Sequence, residues 1–273
     1  MSRRLSTSIT KSHAPGKSSS TRLWDASVGF ITFAYRTLGE LLKARWDTEE
    51  IWHQPHEIGW RSTPLIIATG IVVGVVLAEL IGTSLVNFGA VDSVIPAELS
   101  RMMFREMGPL LTGILISGRV GAAIGAELAV LRHTEQIDAL ESFAIDSFSY
   151  LVITRVVACI IALPILATVM NFSELAGGYL WVAAKSEMSF QLYAEHVFDK
   201  VGWGNYILPT LMTAVFGFVV GTVASYFGYT VDEHAAGVRR AAMYSVVLSC
   251  LLVIASSFIL NQLIPFWFSG GYR

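Results

Sequence analysis

The chain has 273 residues, 53% of them hydrophobic and 15% charged, with a mean hydropathy of +0.57. Soluble proteins carry about 25% charged residues, so this composition argues against an ordinary soluble domain and points to membrane spans. A formal net charge of −2 gives no ground for a nucleic-acid partner.

Residues 1–21 are rich in Ser and Thr and carry Arg3, Arg4, Lys11 and Lys17. With no apolar stretch behind them they are not a secretory signal, although a plastid or mitochondrial transit peptide shares some of this composition. A disordered basic tail is the expectation. Gly16-Lys17-Ser18 imitates the end of a phosphate loop, but Lys11 stands where that motif needs Gly. No nucleotide site, and so no cofactor, is expected in this chain.

Residues 22–60 are expected to form an amphipathic interfacial helix and a connection. Trp24, Val28, Ile31, Tyr35, Leu38 and Leu42 recur at helical spacing, with Arg22, Arg36, Lys43 and Arg45 as cationic heads. The same face could equally pack on the rest of the protein. Residues 61–273 form the transmembrane domain. Spans are expected near 63–86, 106–131, 150–184, 206–228 and 243–267. The third exceeds the roughly 20 residues a bilayer needs, so Pro164 and Gly177-Gly178 are expected to bend or break it. The fold class is thus all-α integral membrane protein, with about five transmembrane helices after the interfacial one. The basic tail, Arg132, Arg239 and Arg240 place the N-terminus in the cytoplasm, and five spans then place the C-terminus outside.

Small residues recur at every fourth position. Gly70, Gly74 and Gly82 lie in the first span, Gly113, Gly121 and Gly125 in the second, Gly217 and Gly221 in the fourth. Such ladders predict close helix contacts, because lipid offers little hydrophobic drive for association. Cys159 and Cys250 lie in apolar runs with no metal-ligand spacing and read as packing residues.

Charges inside a span cost about 2.5–3.5 kcal/mol each, so those of the second span need partners or a role. Arg119 and Glu127 read as members of intramembrane ion pairs or as functional groups. Arg105 and Glu106 sit where a substrate cavity would open, near the outer end, with Glu79 and Leu80 late in the first span. After the second span, Thr134, Glu135, Gln136, Ile137, Asp138, Leu140 and Glu141 read as a short cytoplasmic helix. Thr134 is its expected N-cap, the acids suit its dipole, and Ile137, Leu140 and Phe143 or Ala144 make an apolar stripe suited to a groove on a soluble partner.

From Arg105 onward the sequence resembles the MlaE/YrbE permease family. The resemblance rests on Arg-Glu-Met-Gly-Pro-Leu-Leu-Thr at 105–112, Ser-Gly-Arg-Val-Gly-Ala-Ala-Ile-Gly-Ala-Glu-Leu at 117–128 and Thr-Glu-Gln-Ile-Asp-Ala-Leu-Glu at 134–141. Tyr150-Leu151, Arg155, Pro164, Gly177-Gly178-Tyr179 and Phe88-Gly89-Ala90 extend it over residues 60–267. It implies a permease dimer in the bacterial inner membrane, a plastid envelope being the alternative. It also implies a separate cytoplasmic ABC ATPase carrying ATP and Mg, with 134–141 as the coupling element. A periplasmic MCE-domain protein and a phospholipid substrate complete the system, and a lipid cavity opens near Arg105 and Glu106 at the dimer interface. The sequence departs from the family at Leu80, Asn171, Glu174 and Gly237-Val238-Arg239.

Two rival classes remain. A proton-coupled secondary transporter would use Glu79, Glu106 and Glu127 as a relay. A structural scaffold of an envelope assembly would move no lipid. An enzyme is not expected, since no nucleophile stands with an acid–base pair, and His53 and His56 read as interfacial polar residues.

Overall fold

The computed structural model describes residues 19–43, 48–85, 91–143, 146–185, 188–200, 203–231 and 235–268. These form α1 (Ser19–Lys43), α2 (Thr48–Leu85), α3 (Val91–Met102), α4 (Gly108–Ile116), α5 (Ala122–His133), α6 (Gln136–Ser142), α7 (Thr154–Lys185), α8 (Phe190–Lys200), α9 (Trp203–Tyr229) and α10 (Ala235–Phe268). Three π-helical turns, Met103–Met107, Ser117–Gly121 and Ser149–Ile153, are spliced between them. Most of the basic tail, Phe88-Gly89-Ala90 and Ala144 lie outside the described residues.

Among the described residues, five stretches are long and apolar enough to cross a bilayer: Ile58–Thr83, Glu98–His133, Ser149–Lys185, Tyr206–Tyr229 and Gly237–Gln262. The protein is an all-α membrane protein. In hydrocarbon a helix satisfies its own backbone polar groups, which is why apolar runs of this length become helices there. The second span is a composite of the end of α3, two π turns, α4 and α5, and it starts at Glu98, ahead of the residue 106 expected.

The third span does not break. α7 is one helix of 32 residues with Pro164 inside it. At 1.5 Å per residue it is about 48 Å long, well beyond the roughly 30 Å of a bilayer core. Gly177 and Gly178 serve contact instead of breakage. A Cβ at Gly177 would lie 2.1 Å from the Ile71 carbonyl oxygen, and one at Gly178 2.5 Å from the Leu99 side chain. α7 is the axis of the bundle, its apolar stretch mostly buried where that of α10 is mostly exposed.

Close approach recurs at the other glycines. Gly70 and Gly74 lie against the α7 backbone at Met170 and Glu174, and Gly82 lies under the Trp181 ring. Gly113 faces Val253 and Phe216, Gly121 faces Val220 and Ser249, and Gly125 faces Ser245. Gly217 and Gly221 sit on the α7 backbone at Cys159 and Val156. α2 and α9 thus clasp α7 from two sides, while α10 packs on α5 and α9. At the end opposite α6, here the far end, α3 packs against α8. There the buried Tyr193 hydroxyl donates to the Leu175 carbonyl at 3.3 Å, and burial pushes its phenol above the ordinary value.

α1 presents two apolar faces. Val28, Ile31, Tyr35, Leu38 and Leu42 are exposed along one side, where a lipid interface would receive them. On the other, Phe33 stacks edge-on against Phe148 and Tyr226 at 5.2 and 5.4 Å, and Arg36 lies 4.1 Å over the Phe148 ring.

Candidate functional site

The α6 end holds a short helix fixed at several points. Thr134 does not cap it. Its hydroxyl donates to the Val130 carbonyl at 3.0 Å, closing α5, and Glu135 takes the cap position with φ 57°, without a side-chain cap bond. Among the described residues it is the non-glycine residue with positive φ. The left-handed turn lets the chain reverse between α5 and α6, at a cost of about 1–2 kcal/mol for a side chain. Glu135→Gly is therefore expected to raise stability by up to about 1 kcal/mol, read as a higher unfolding midpoint in detergent. An unchanged or lower midpoint would refute the strained turn.

The apolar stripe of this segment turns inward. Ile137 is 0% exposed and, with Leu140, packs into the core of the bundle. The stripe that the sequence offered to a soluble partner is thus spent on anchorage, because a seven-residue helix has no stability of its own. What faces out is polar: Glu135, Gln136, Asp138 and Glu141, with Phe143 at 77% exposure beside them. Asp138 pairs with Arg132 of α5 at 3.1 Å. Ser147, ahead of the third span, donates to Glu141 at 2.7 Å and lies 2.9 Å from the Tyr229 hydroxyl of α9. α6 is thereby tied to the second, third and fourth spans at once.

Beside it, within the bundle, lies a cleft of about 290 Å³ bearing Arg61, Arg119, Glu127 and Arg155. Glu127 is in an ion pair, and its partner is Arg155 of α7 at 2.7 Å rather than Arg119 of its own span. Arg155 is 7% exposed and also donates to the Leu151 carbonyl at 2.7 Å. That carbonyl lies in the third π turn, where the α-helical ladder is interrupted. Arg119 stands in the second π turn and donates to the backbone carbonyl of Arg61 in α2. Arg61 carries no motif and was missed in the sequence. Its signal was a charge placed where a span begins.

The far half holds the other candidates. Arg105 and Glu106 occupy the first π turn, Arg105 half-buried and Glu106 exposed. Glu79 and Leu80 are exposed on α2, and Glu79 accepts a hydrogen bond from the Trp181 indole. Nearby is a set that charge counting within the second span did not reach. Arg105 Nε, the Asn171 amide and both Glu174 carboxyl oxygens are buried without a hydrogen-bond partner among the described residues. Asn171 Oδ1 occupies the space that a side chain at Gly108 would need.

Residues 51–263 match the family described as Permease MlaE. A probable ABC transporter permease of Rickettsia prowazekii is 34% identical over 238 residues, 87% of this chain and 92% of that protein. One from Synechocystis is 30% identical over 82% of this chain and 84% of its own length. The intermembrane phospholipid transport system permease MlaE of Haemophilus influenzae is 29% identical over 77% of this chain and 80% of its own. The helical bundle and these matches agree: the chain belongs to the MlaE family and is a permease of the ABC-transporter type.

Proposed function

We propose that this permease moves phospholipid across or out of the membrane, driven by ATP and Mg held on a separate ATPase chain docked at α6. The observation that carries the reading is the anchorage of α6. Its polar face is presented outward while Ile137, Asp138 and Glu141 bind it to the spans. A force applied to that face passes to α5 through Arg132 and to α9 through Tyr229. Arg132, Arg239 and Arg240 favour the α6 end as cytoplasmic, which directs the far end toward a periplasmic MCE-domain partner.

The phospholipid is suggested by the name of the Haemophilus relative and by Arg105, whose guanidinium geometry suits a phosphate diester. The exposed Glu79, Leu80 and Glu106 form one side of a lipid cavity that a second copy of the permease completes. The separation of Glu79 and Glu106, in the far half, from Glu127, held by Arg155 near α6, favours this reading over a proton relay.

The test is the double variant Asp138→Ala, Leu140→Ala in the assembled transporter, in liposomes. Lipid transfer to an acceptor should fall at least about fivefold, the low end of typical coupling energies, while the partner still hydrolyses ATP. Undiminished transfer by the variant would sink the coupling role of α6. A wild-type assembly that transfers no lipid with ATP would sink the transport reading itself.

A further inference from the structure

One continuous set of side chains joins α6 to α1. At the α6 end of the set, Glu141 accepts from the Ser147 hydroxyl at 2.7 Å and from the Tyr229 hydroxyl at 3.4 Å. Each of these hydroxyls has an aromatic ring behind it: the Tyr229 ring itself, and Phe148 as the chain neighbour of Ser147. The Phe148 and Tyr229 rings meet edge-on at 6.0 Å. Phe33 of α1 packs on both, its centroid 5.2 Å from Phe148 and 6.4 Å from Tyr229. Arg36, one turn further along α1, covers the Phe148 ring, and Phe30 meets Tyr226 of α9 edge-on at 5.4 Å.

This set matters to α6 for two reasons. A helix of seven residues depends on its anchors. Glu141 also lies in its last turn, where the helix dipole disfavours a carboxylate, so the two hydroxyls are what hold it there. Phe148 is 2% exposed and moves only as its neighbours move, since a packed ring has no free space beside it. A tilt of α1 therefore reaches Phe148 and Tyr229, and through them the hydroxyls on Glu141.

The opposite side of α1 faces away from the bundle. Val28, Ile31, Tyr35, Leu38 and Leu42 are exposed along it, and the sequence places Arg22 and Lys43 toward its two ends. An apolar row with cations toward both ends fits the boundary between acyl chains and phosphates on the leaflet at the α6 end.

We propose that α1 senses the surface of that leaflet and sets the anchorage of α6, with Tyr229 and Ser147-Phe148 as the link. From the proposed function it takes only that α6 meets the ATPase; the link itself needs no partner. Tyr229 and Ser147 are then positioning residues, acting on α6 through Glu141.

The experiment follows amide hydrogen exchange of residues 136–142 by mass spectrometry, in the full transporter in nanodiscs of phosphatidylethanolamine and phosphatidylglycerol. α8, at the far end, is the control. Three variants are compared: Phe33→Ala; Tyr229→Phe with Ser147→Ala, which keeps every ring; and Ile31→Glu with Leu38→Glu, which alters only the outer face of α1. Each should speed α6 exchange at least about fivefold, the low end for coupled sites, and leave α8 unchanged. Phe33→Ala added to the hydroxyl variant should add little, because both lie on one path. Unchanged α6 exchange in Phe33→Ala, or additive effects, overturns the link. A response to Phe33→Ala with none to the outer-face variant makes α1 a strap and overturns the sensor. A rise that α8 shares is general loosening and also overturns it. Faster α6 exchange with lipid transfer per ATP unchanged leaves the link standing, and the coupling role of α6 falls instead.

Discussion

Gly177→Ala and Gly74→Ala should each destabilise the protein by about 2–3 kcal/mol, the upper range for overpacking a close contact. In an isolated helix the same change would gain about 1 kcal/mol, so the sign itself is diagnostic. A Cβ at Gly74 would stand 2.0 Å from the Glu174 carbonyl oxygen, and one at Gly177 2.1 Å from that of Ile71. Both obstacles are backbone. No rotamer can swing aside, and the only relief is for α2 and α7 to separate along a shared seam. Gly39 in α1 has nothing within 4 Å of a Cβ, so Gly39→Ala should be neutral or stabilising. Unfolding midpoints in one detergent decide it. Equal midpoints for Gly177→Ala and Gly39→Ala would contradict the backbone-to-backbone seam.

Glu174→Met should move stability the other way, by about 1–3 kcal/mol, the cost of burying a polar group without a hydrogen bond. Glu174 is 0% exposed, and both its carboxyl oxygens lack a hydrogen-bond partner among the described residues. A carboxyl in that position opposes folding, whereas methionine matches its length and adapts to irregular gaps. Lipid transfer measured on the same variant separates two meanings. A more stable protein that still transports makes Glu174 a tolerated burden. A more stable protein that has lost transport makes it a functional group retained against stability. A lower unfolding midpoint would show that the carboxyl has a partner, and the prediction would fail.

The architecture was largely legible because bilayer physics constrains it. Apolar length alone counted the five spans, and the fourfold repeat of small residues marked faces that the fold brings against α7, α9 and α10. What escaped depends on partners distant in sequence. The link from Glu127 to Arg155 joins different spans, and nothing local in either segment announces it. Arg61 entered the cleft unseen because a single charge at a span entrance ordinarily faces headgroups. The π turns at 103–107 and 117–121 are invisible to a periodicity argument, yet they aim Arg105 and Arg119. The inward turn of Ile137 and Leu140 shows a limit of amphipathicity as a signal. It reports that a helix has an apolar side, and the bundle, being covalently near, claims that side before any partner arrives.

The seam between α2 and α7 has a mechanical meaning. Helices that slide past one another do so by letting side chains repack, as in shear motions. At Gly70, Gly74 and Gly177 side chains are absent from that contact, so over this stretch α2 and α7 meet close to the backbone, while Leu77 and Ala78 pack with Leu175 and Val182 toward the far end. Over that stretch a displacement of one helix carries the other with it, because the backbones are already in contact. α10, mostly exposed along its span, has no such seam with a neighbour, so the α2–α7 pair is the stiffer path from one side of the membrane to the other.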